Sequence, residues 1–539
     1  MYYLLLVAIL VLGSALAIAL YAGPNYMYDD IWYIEAAHLL AQGNSTFILS
    51  KFSFAFFKTV ILAVSFKVFG YGSVQAILPN FAYFLVTIYL VFLIGKRMNG
   101  YALGLIAAFI AAITPFFVAH ATRVNPDVDL GMVLALILYL FFRYVDTSKS
   151  KRHTGLYMPF MIGLATSFAV YFKIEGFIVI FAMVASILVL YIYFNTNAKR
   201  DIRYRRIMNK RFIAYSAIGL VAGLSLYLLV FYIFTGNPFW IIGGYNGAIT
   251  PSSLSRQAII VGLLNPNTLY LNSTNFDPDL VPLGLVYIFA IIGTLLGVKK
   301  RNAAISFMSL ITWIIFLYLF FGPASPSRFI IIPTVSRFFS SLIAPLSILS
   351  GYLVLSVYRG ANRYVGSKWN LGLLLSLLMI ILLVAINVPM YIGYHAYAST
   401  IHKTSRLFSS INNELLRLAA GSNMTVYLNN SVGFRQNFNL GMQFVSGYSR
   451  YETFFDITAS IQNGFTVYAC PSVLPSHAYL VALTHVYMAD NSSGVSSTIE
   501  NWAGSNCTLN EVWNYSEENR YYIDMLPQIV RIYSVTETR

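Results

Sequence analysis

The stretch YDDIWYIEAA, residues 28–37, carries an acidic pair just after the first long apolar segment of the chain. That segment, residues 1–22, has no charged side chain and is long enough to cross a bilayer. The acidic pair is therefore predicted to emerge at a membrane surface, where carboxylates can meet a substrate carried by a lipid. Asp29 and Asp30 are the first candidates for functional residues.

The composition indicates a polytopic α-helical membrane protein. Hydrophobic residues make up 58% of the chain, charged residues only 10%, and the mean hydropathy is +0.67. In a soluble domain, about a quarter of all residues are charged. Continuous apolar runs such as 133–142 and 377–386 do not show the alternation of an outer-membrane barrel. We expect about eleven transmembrane helices, at residues 3–22, 74–94, 101–119, 128–142, 156–171, 177–194, 212–234, 281–298, 303–321, 338–357 and 371–392.

The basic residues predict the sidedness of these helices. More than half of the Lys and Arg residues fall in every second connection, namely residues 96–97, 143–152, 199–211, 299–301 and 359–368. By the positive-inside rule these loops are cytoplasmic, so the net charge of +15 reflects topology and not a nucleic-acid partner. All Asn-x-Ser/Thr triplets fall on the opposite side and are candidate glycosylation sites: Asn44, Asn272, Asn423, Asn429, Asn491, Asn506 and Asn514. An alternative for residues 1–22, a cleaved signal peptide, has the small residues Ala15 and Ala17 but no basic start.

The chain changes character after the last apolar span. We divide it into a transmembrane domain, residues 1–392, and a soluble extracytoplasmic domain, residues 393–539, which we expect to be α/β. Residues 405–420 have the spacing of an amphipathic helix, and residues 425–428 and 465–469 indicate strands. Cys470 and Cys507 lie in this domain on the oxidising side, so they form either a disulfide or two buried thiols.

The outer-face residues resemble the motifs of GT-C glycosyltransferases, in the branch of dolichyl-phosphate-mannose protein mannosyltransferases and aminoarabinose transferases. Asp29-Asp30 is similar to the acidic pair that opens the family's first juxtamembrane helix. Four further segments resemble family motifs in the same order: FKVFG at 66–70, VNPD at 124–127, AVYFKIEG at 169–176 and SRFF at 336–339. The sequence departs from the family at Asp30, usually Glu, at Phe338, usually Tyr, and in lacking Pro-Pro-Leu near Lys58.

The resemblance implies transfer of a sugar, mannose-like by our expectation, from a polyprenyl or dolichyl phosphate to a hydroxyl acceptor on a protein or lipid glycan. A carboxylate would take the hydroxyl proton, and cations would neutralise the leaving phosphate. We expect Asp29 to be the base, with Asp30 also catalytic, and Lys173, Arg337 and Arg123 to contact the phosphate. Asp30 and Asp127 could hold a divalent cation, Mg²⁺ or Mn²⁺. We expect Asp29, Asp30, Asp127, Lys173 and Arg337 to share one outward-facing cavity.

Each candidate residue has a structural alternative. Asp30 could cap a helix that starts at Ile31, and Asn125-Pro126-Asp127 fits a helix start. Lys173 and Glu175 could pair at the interface, and Arg337 could be an interfacial anchor.

Two other functions remain open from the sequence. A transporter or channel would carry charges in the middle of its helices, whereas the notable charges here lie at helix ends. An oligosaccharyltransferase-like enzyme should carry Trp-Trp-Asp in the soluble domain, where Trp502 and Trp513 stand alone. The expected location is the plasma membrane of an archaeon or bacterium rather than the endoplasmic reticulum, with membrane lipids as neighbours.

Overall fold

The computed structural model describes thirteen segments of the chain. They are residues 1–21, 29–43, 55–146, 157–196, 210–239, 283–322, 336–365, 371–418, 424–430, 451–456, 478–484, 507–516 and 529–537.

The described segments up to residue 418 are mainly helical. They are α1 Tyr2–Ala19, α2 Asp29–Ala41, α3 Phe56–Phe69, α4 Ser73–Asn99, α5 Tyr101–Ala112, α6 Pro115–His120, α7 Asp127–Asp146, α8 Tyr157–Phe172, α9 Gly176–Thr196, α10 Lys210–Thr235, α11 Val286–Lys299, α12 Ala303–Phe321, α13 Ile343–Val365 and α14 Leu371–Leu418. A 3-10 helix, Ser336–Leu342, leads directly into α13.

The prediction of an α-helical polytopic membrane protein is confirmed. Within the described segments, seven helices are long and apolar enough to cross a membrane, and four shorter helices are apolar. Each of the eleven predicted spans overlaps one of these helices. The prediction was wrong in one detail, because span 101–119 is broken into α5 and α6. The break falls just before Pro115, which starts α6 and cannot donate a backbone hydrogen bond to a continuous helix.

The ends of the basic connections meet at one end of the helices. Arg97, at the end of α4, donates a hydrogen bond of 3.0 Å to the carboxylate of Asp146, at the end of α7. Arg359 of α13 donates to the side-chain oxygen of Asn99 over 3.0 Å. Asp127 lies at the opposite end of α7. This arrangement agrees with the sidedness predicted from the basic loops.

Helices α8 and α10 pack unusually closely because glycines face the partner helix. A Cβ atom added at Gly163 would collide with the backbone carbonyl oxygen of Ser216. One added at Gly219 would collide with the carbonyl oxygen of Phe160. Small residues allow this approach in membranes, where van der Waals packing and not water exclusion joins helices.

The chain separates into two compact units. The first contains most of the helices and ends at Ala398, and the second begins at Ser399 and also takes in Gly23–Glu35. Helix α14 runs without a break through residue 392, the predicted domain boundary. The division at 392 and the α/β character of the second domain stay predictions.

The second unit contains a mixed five-stranded sheet. Its strands are β1 Met424–Asn430, β2 Tyr451–Asp456, β3 Ala478–Thr484, β4 Cys507–Ser516 and β5 Ile529–Glu537, in the order β2-β1-β3-β5-β4. Strand β1 pairs in parallel with β2 and β3, while β5 pairs antiparallel with β3 and β4. The strand predicted at 425–428 is confirmed by β1, whereas residues 465–469 lie outside the described residues.

Candidate active site

Asp127 is the first residue of α7, where the helix starts from the VNPD segment. The carbonyl of Pro126 accepts a hydrogen bond from the backbone N–H of Leu130 over 3.1 Å. The side-chain oxygen of Asn125 has no hydrogen-bond partner in the described structure, so this oxygen does not cap the start of α7. An acid in the first turn is favoured by the positive end of the helix dipole, and Asp127 is buried at this position.

The carboxylate of Asp127 gathers two cations from distant parts of the chain. Lys173 Nζ lies 2.7 Å from Oδ1 of Asp127, and Arg337 Nε lies 3.9 Å from Oδ2. Lys173 comes from the turn between α8 and α9, and Arg337 from the 3-10 helix. Three residues predicted from separate motifs are therefore close together. This lateral gathering would not result from helix capping or interfacial anchoring alone, because each of those roles is local.

Lys173 has further neighbours that fix its ammonium group. Its Nζ lies 3.5 Å from the carboxylate of Glu175, so the predicted pairing of these two residues is confirmed. The same atom lies 3.6 Å from the centre of the Phe338 ring. Two carboxylates and an aromatic ring thus surround the mostly buried ammonium group of Lys173 and fix its position.

The 3-10 helix approaches α7 closely because residue 131 is a glycine. A Cβ atom at Gly131 would lie 2.6 Å from the carbonyl oxygen of Ser340, closer than any real contact allows. Gly131 is one turn after Asp127, so this close approach brings Arg337 to the start of α7. The pair of Asp127 and Arg337 thus depends on a small residue that neither motif contains.

A second buried ion pair lies next to this cluster and was missed from the sequence. Lys58 Nζ of α3 lies 3.5 Å from Oδ2 of Asp129, and both side chains are fully buried. The available signal was Asp129 itself, because an acid placed after Asp127 in an apolar run needs a partner.

His120 is a buried neighbour of the cluster. Asn125 Nδ2 lies 3.0 Å from its Nδ1, and Asn80 Nδ2 donates to the backbone carbonyl of Asn125 over 2.7 Å. Burial lowers the pKa of the His120 imidazole well below its usual value, and the positive charges of Arg123 and Arg337 lower it further. Both effects favour the neutral imidazole of His120.

Arg123 lies outside the pairs around Asp127. Its guanidinium carbon is 4.6 Å from the ring centre of Tyr397 on α14, and the residue is largely buried. Its charge nevertheless acts on His120 together with that of Arg337. The phosphate contacts predicted for Arg123, Lys173 and Arg337 stay predictions.

Asp29 and Asp30 start α2, as the resemblance implies. The helix begins at Asp29, so Asp30 lies within its first turn and does not cap a helix that starts at Ile31. Asp30 is buried, with only 3% of its surface exposed. Both residues belong to the second compact unit. Their catalytic roles, and the cavity that they are expected to share with Asp127, stay predictions.

The described residues offer little support for a divalent cation at Asp127. Both oxygens of Asp127 already face cations, Lys173 and Arg337, which a metal ion would have to displace. Among the described residues, no three of His, Cys, Asp and Glu are close enough to hold a metal together. The donor set therefore does not fit Mg²⁺ or Mn²⁺ at this carboxylate, and a cation at Asp30 stays a prediction.

Three of the remaining predicted sites lie in strands of the sheet. Asn429 is on β1 and Asn514 on β4, and Cys507 starts β4. Outside the described residues lie Cys470, Asn44, Asn272, Asn423, Asn491 and Asn506. Glycosylation and the disulfide stay predictions.

Comparisons with known proteins agree with the fold and the motifs. Residues 55–221 match the profile of the family described as dolichyl-phosphate-mannose-protein mannosyltransferase. A search among curated protein sequences finds no match.

Solved structures share the architecture along nearly the whole chain. The apo crystal structure of ArnT from Cupriavidus metallidurans matches with a TM-score of 0.57 and 13% identity, over 99% of this chain and 97% of that chain. ArnT bound to undecaprenyl phosphate matches with a TM-score of 0.56 and 14% identity, over 99% of this chain and 98% of that chain. The oligosaccharyltransferase of Archaeoglobus fulgidus, tethered to an acceptor peptide, matches with a TM-score of 0.51 and 12% identity. This match covers 94% of this chain and 69% of that chain.

These matches define the fold: the chain has several candidate membrane spans and shares the architecture of ArnT and of the archaeal oligosaccharyltransferase, which is the GT-C fold. Within that fold, its residues 55–221 carry the features of the dolichyl-phosphate-mannose-protein mannosyltransferase family. The resemblance predicted from the outer-face motifs is confirmed.

Proposed function

We propose that this protein transfers a sugar from a polyprenyl-phosphate donor to a hydroxyl acceptor at the outer membrane face. The observation that carries the proposal is the pair of cations, Lys173 and Arg337, on the two oxygens of the buried Asp127. The fold supports it, because ArnT has the same architecture and has been crystallised with undecaprenyl phosphate. Mannose or another hexose is the proposed sugar, and a protein or lipid-linked glycan the proposed acceptor.

The proposed reaction needs help at two points. The acceptor oxygen forms a bond to the anomeric carbon while the bond from that carbon to the phosphate oxygen breaks. The hydroxyl proton goes to Asp29, and the phosphate leaves as a monoester with one additional negative charge. Fixed cations stabilise this leaving group more in the transition state than in the bound donor, because its negative charge grows as the bond breaks.

We infer that Asp127 and Glu175 hold the cations for this purpose. They keep the ammonium group of Lys173 oriented, over the Phe338 ring, before the donor is bound. A phosphate that arrives next to Lys173 and Arg337 takes over part of their bonding. No step of the proposed reaction requires a metal ion.

The test is transfer of label from a panel of radiolabelled polyprenyl-phosphate sugars by the purified protein. Hydrogen bonds to charged groups contribute about 1.5–3 kcal/mol, or roughly 10–150-fold. We expect Lys173→Gln to lower kcat/KM by such a factor and Arg337→Lys to lower it less than Arg337→Gln does. Lys67→Gln is the matched control, because Lys67 is an exposed lysine of α3 outside the cluster. Equal rates for Lys173→Gln and Lys67→Gln would contradict the proposed role of the cluster.

The product separates this proposal from the oligosaccharyltransferase-like alternative. Alkaline β-elimination releases a sugar linked to Ser or Thr and leaves one linked to Asn in place. We expect a labelled protein product to lose its label. Retention of the label would favour transfer to Asn, and no transfer from any donor would favour a transporter or another function.

A further inference from the structure

A cavity of about 350 Å³ lies at the end of the helices opposite to Asp127. Its walls include Arg97 of α4, Asp146 of α7, Lys300 and Arg301 of the α11–α12 turn, and Tyr352 of α13. Helix α7 separates it from the candidate active site, because Asp127 starts this helix of 20 residues and Asp146 ends it. That length corresponds to about 30 Å. The cavity is therefore a separate site, on the side predicted to be cytoplasmic.

The charges of the cavity walls are unbalanced. Three cations, Arg97, Lys300 and Arg301, line it together with one carboxylate, Asp146. That carboxylate pairs with Arg97 at 3.0 Å. Lys300 lies 6.0 Å from the ring centre of Tyr352. The lining residues thus carry a net charge of two positive units, which suits a ligand with one or two negative charges.

Arg301 has a backbone conformation that its side chain alone does not favour. Its φ is 52°, and among the described residues no other non-glycine residue has a positive φ. It closes α11, where the N–H of Asn302 bonds to the carbonyl of Gly297 and the N–H of Arg301 to that of Val298. Glycine is strongly preferred at this position of such a helix end. An arginine kept in a left-handed turn suggests that its guanidinium has a function.

The start of α12 adds to the positive potential. Asn302 caps this helix by accepting a hydrogen bond from the N–H of Ile305, and Ala303 and Ala304 line the cavity. The N–H groups at a helix start carry partial positive charge that favours anions. They reinforce the three cationic side chains, which come from two different parts of the chain.

We propose that this cavity binds the phosphate group of an anionic ligand. Arg301 presents a planar guanidinium suited to two phosphate oxygens, and Lys300 contributes a point charge. The ligand is either the head group of an anionic phospholipid in the predicted cytoplasmic leaflet or a soluble phosphate compound. The apolar walls at Phe142 and Val145 accommodate the first carbons attached to the phosphate.

The experiment measures binding and not sugar transfer, so its result is independent of the proposed function. Purified, delipidated protein in detergent micelles is titrated with phosphatidylglycerol, phosphatidylcholine, inorganic phosphate or chloride at matched ionic strength. Bound lipid is counted by native mass spectrometry, and the melting temperature is followed by intrinsic fluorescence. The variants are Lys300→Gln and Arg301→Gly, and the control is Lys299→Gln, a neighbouring lysine that does not line the cavity.

We expect phosphatidylglycerol or inorganic phosphate to raise the melting temperature of the parent protein and of Lys299→Gln. Both cavity variants should need at least tenfold more ligand for the same shift. Without ligand, Arg301→Gly should melt at the same or a higher temperature than the parent, because glycine relieves the left-handed turn.

Each source of phosphate gives a distinct result. A response to phosphatidylglycerol alone identifies a lipid head group, and a response to inorganic phosphate identifies a soluble anion. The proposal is overturned if phosphatidylcholine binds equally well, if neither phosphate source binds, or if the cavity variants respond like Lys299→Gln. A lower melting temperature of Arg301→Gly without ligand would also overturn it, because Arg301 would then be a structural residue.

Discussion

Removing the carboxylate of Asp129 should destabilise the protein far more than removing that of Asp146. The two ion pairs are a natural comparison within one chain. Lys58 and Asp129 are 3.5 Å apart with both side chains fully buried. Arg97 and Asp146 are closer, at 3.0 Å, but 27% and 38% exposed. Burial and not distance decides the outcome, since water solvates whichever charge remains at the exposed pair.

The magnitude follows from the two environments. Breaking a buried pair by removing one partner costs about 3–5 kcal/mol, whereas an exposed pair contributes about 0–1 kcal/mol. The cost of breaking the buried pair has an upper limit, because Lys58 can lose its proton and become neutral when Asp129 no longer carries a charge. An unfolded lysine has a pKa near 10.4, so deprotonation at pH 7 costs about 3.4 units at 1.36 kcal/mol each, or roughly 4.6 kcal/mol. We therefore expect Asp129→Asn to lose about 3–4.6 kcal/mol.

The assay is equilibrium unfolding in mixed micelles of a mild detergent and dodecyl sulfate. Asp129→Asn and Asp146→Asn are compared with the parent protein, together with the double variant Lys58→Met/Asp129→Leu. The double variant should recover most of the lost stability, because apolar residues of similar volume can replace a buried pair. Equal losses for Asp129→Asn and Asp146→Asn would refute this reasoning, as would a double variant as unstable as Asp129→Asn.

Two further predictions concern buried groups of the helical unit. Because the pKa of His120 is lowered in the folded state, the unfolded state binds the extra proton below about pH 6.5, and stability falls as the pH drops through that range. His120→Gln should reduce this loss of unfolding free energy by up to about 1.4 kcal/mol per pH unit, measured at pH 7.5 and 5.5. An unchanged dependence of the unfolding free energy on pH would contradict the role of His120. Gly163→Ala should clash with the Ser216 carbonyl and lower the melting temperature, whereas Gly360→Ala, with nothing within 4 Å of the added Cβ, should not; equal effects would exclude close packing as the cause.

The helices could be predicted from the sequence because each is encoded locally. A run of apolar residues long enough for a bilayer needs no partner to be recognised, and all eleven predicted spans overlap apolar helices. The break before Pro115 was missed, although proline marks it, because residues 101–119 were weighed as one apolar run.

The site could be predicted only in part. The proximity of Asp127, Lys173 and Arg337 was predicted because each belongs to a recognisable motif at a helix end, while their roles stay predictions. Lys58, Asp129 and His120 were missed, since pairing across α3, α7 and the α6 segment depends on packing that no local pattern records. The role of Gly131 in admitting the 3-10 helix is likewise visible only from the distance between two backbones.

Asp29→Asn tests the proposed transfer reaction most directly. With a polyprenyl-phosphate sugar as donor, we expect transfer by the parent protein and a loss of roughly two to four orders of magnitude in Asp29→Asn, because the amide cannot accept the hydroxyl proton. The melting temperature should be unchanged, and Asp30→Asn is the neighbouring comparison. Near-normal transfer by Asp29→Asn would contradict the catalytic role of Asp29, and the absence of transfer by the parent protein from every polyprenyl-phosphate sugar would contradict the proposed function itself.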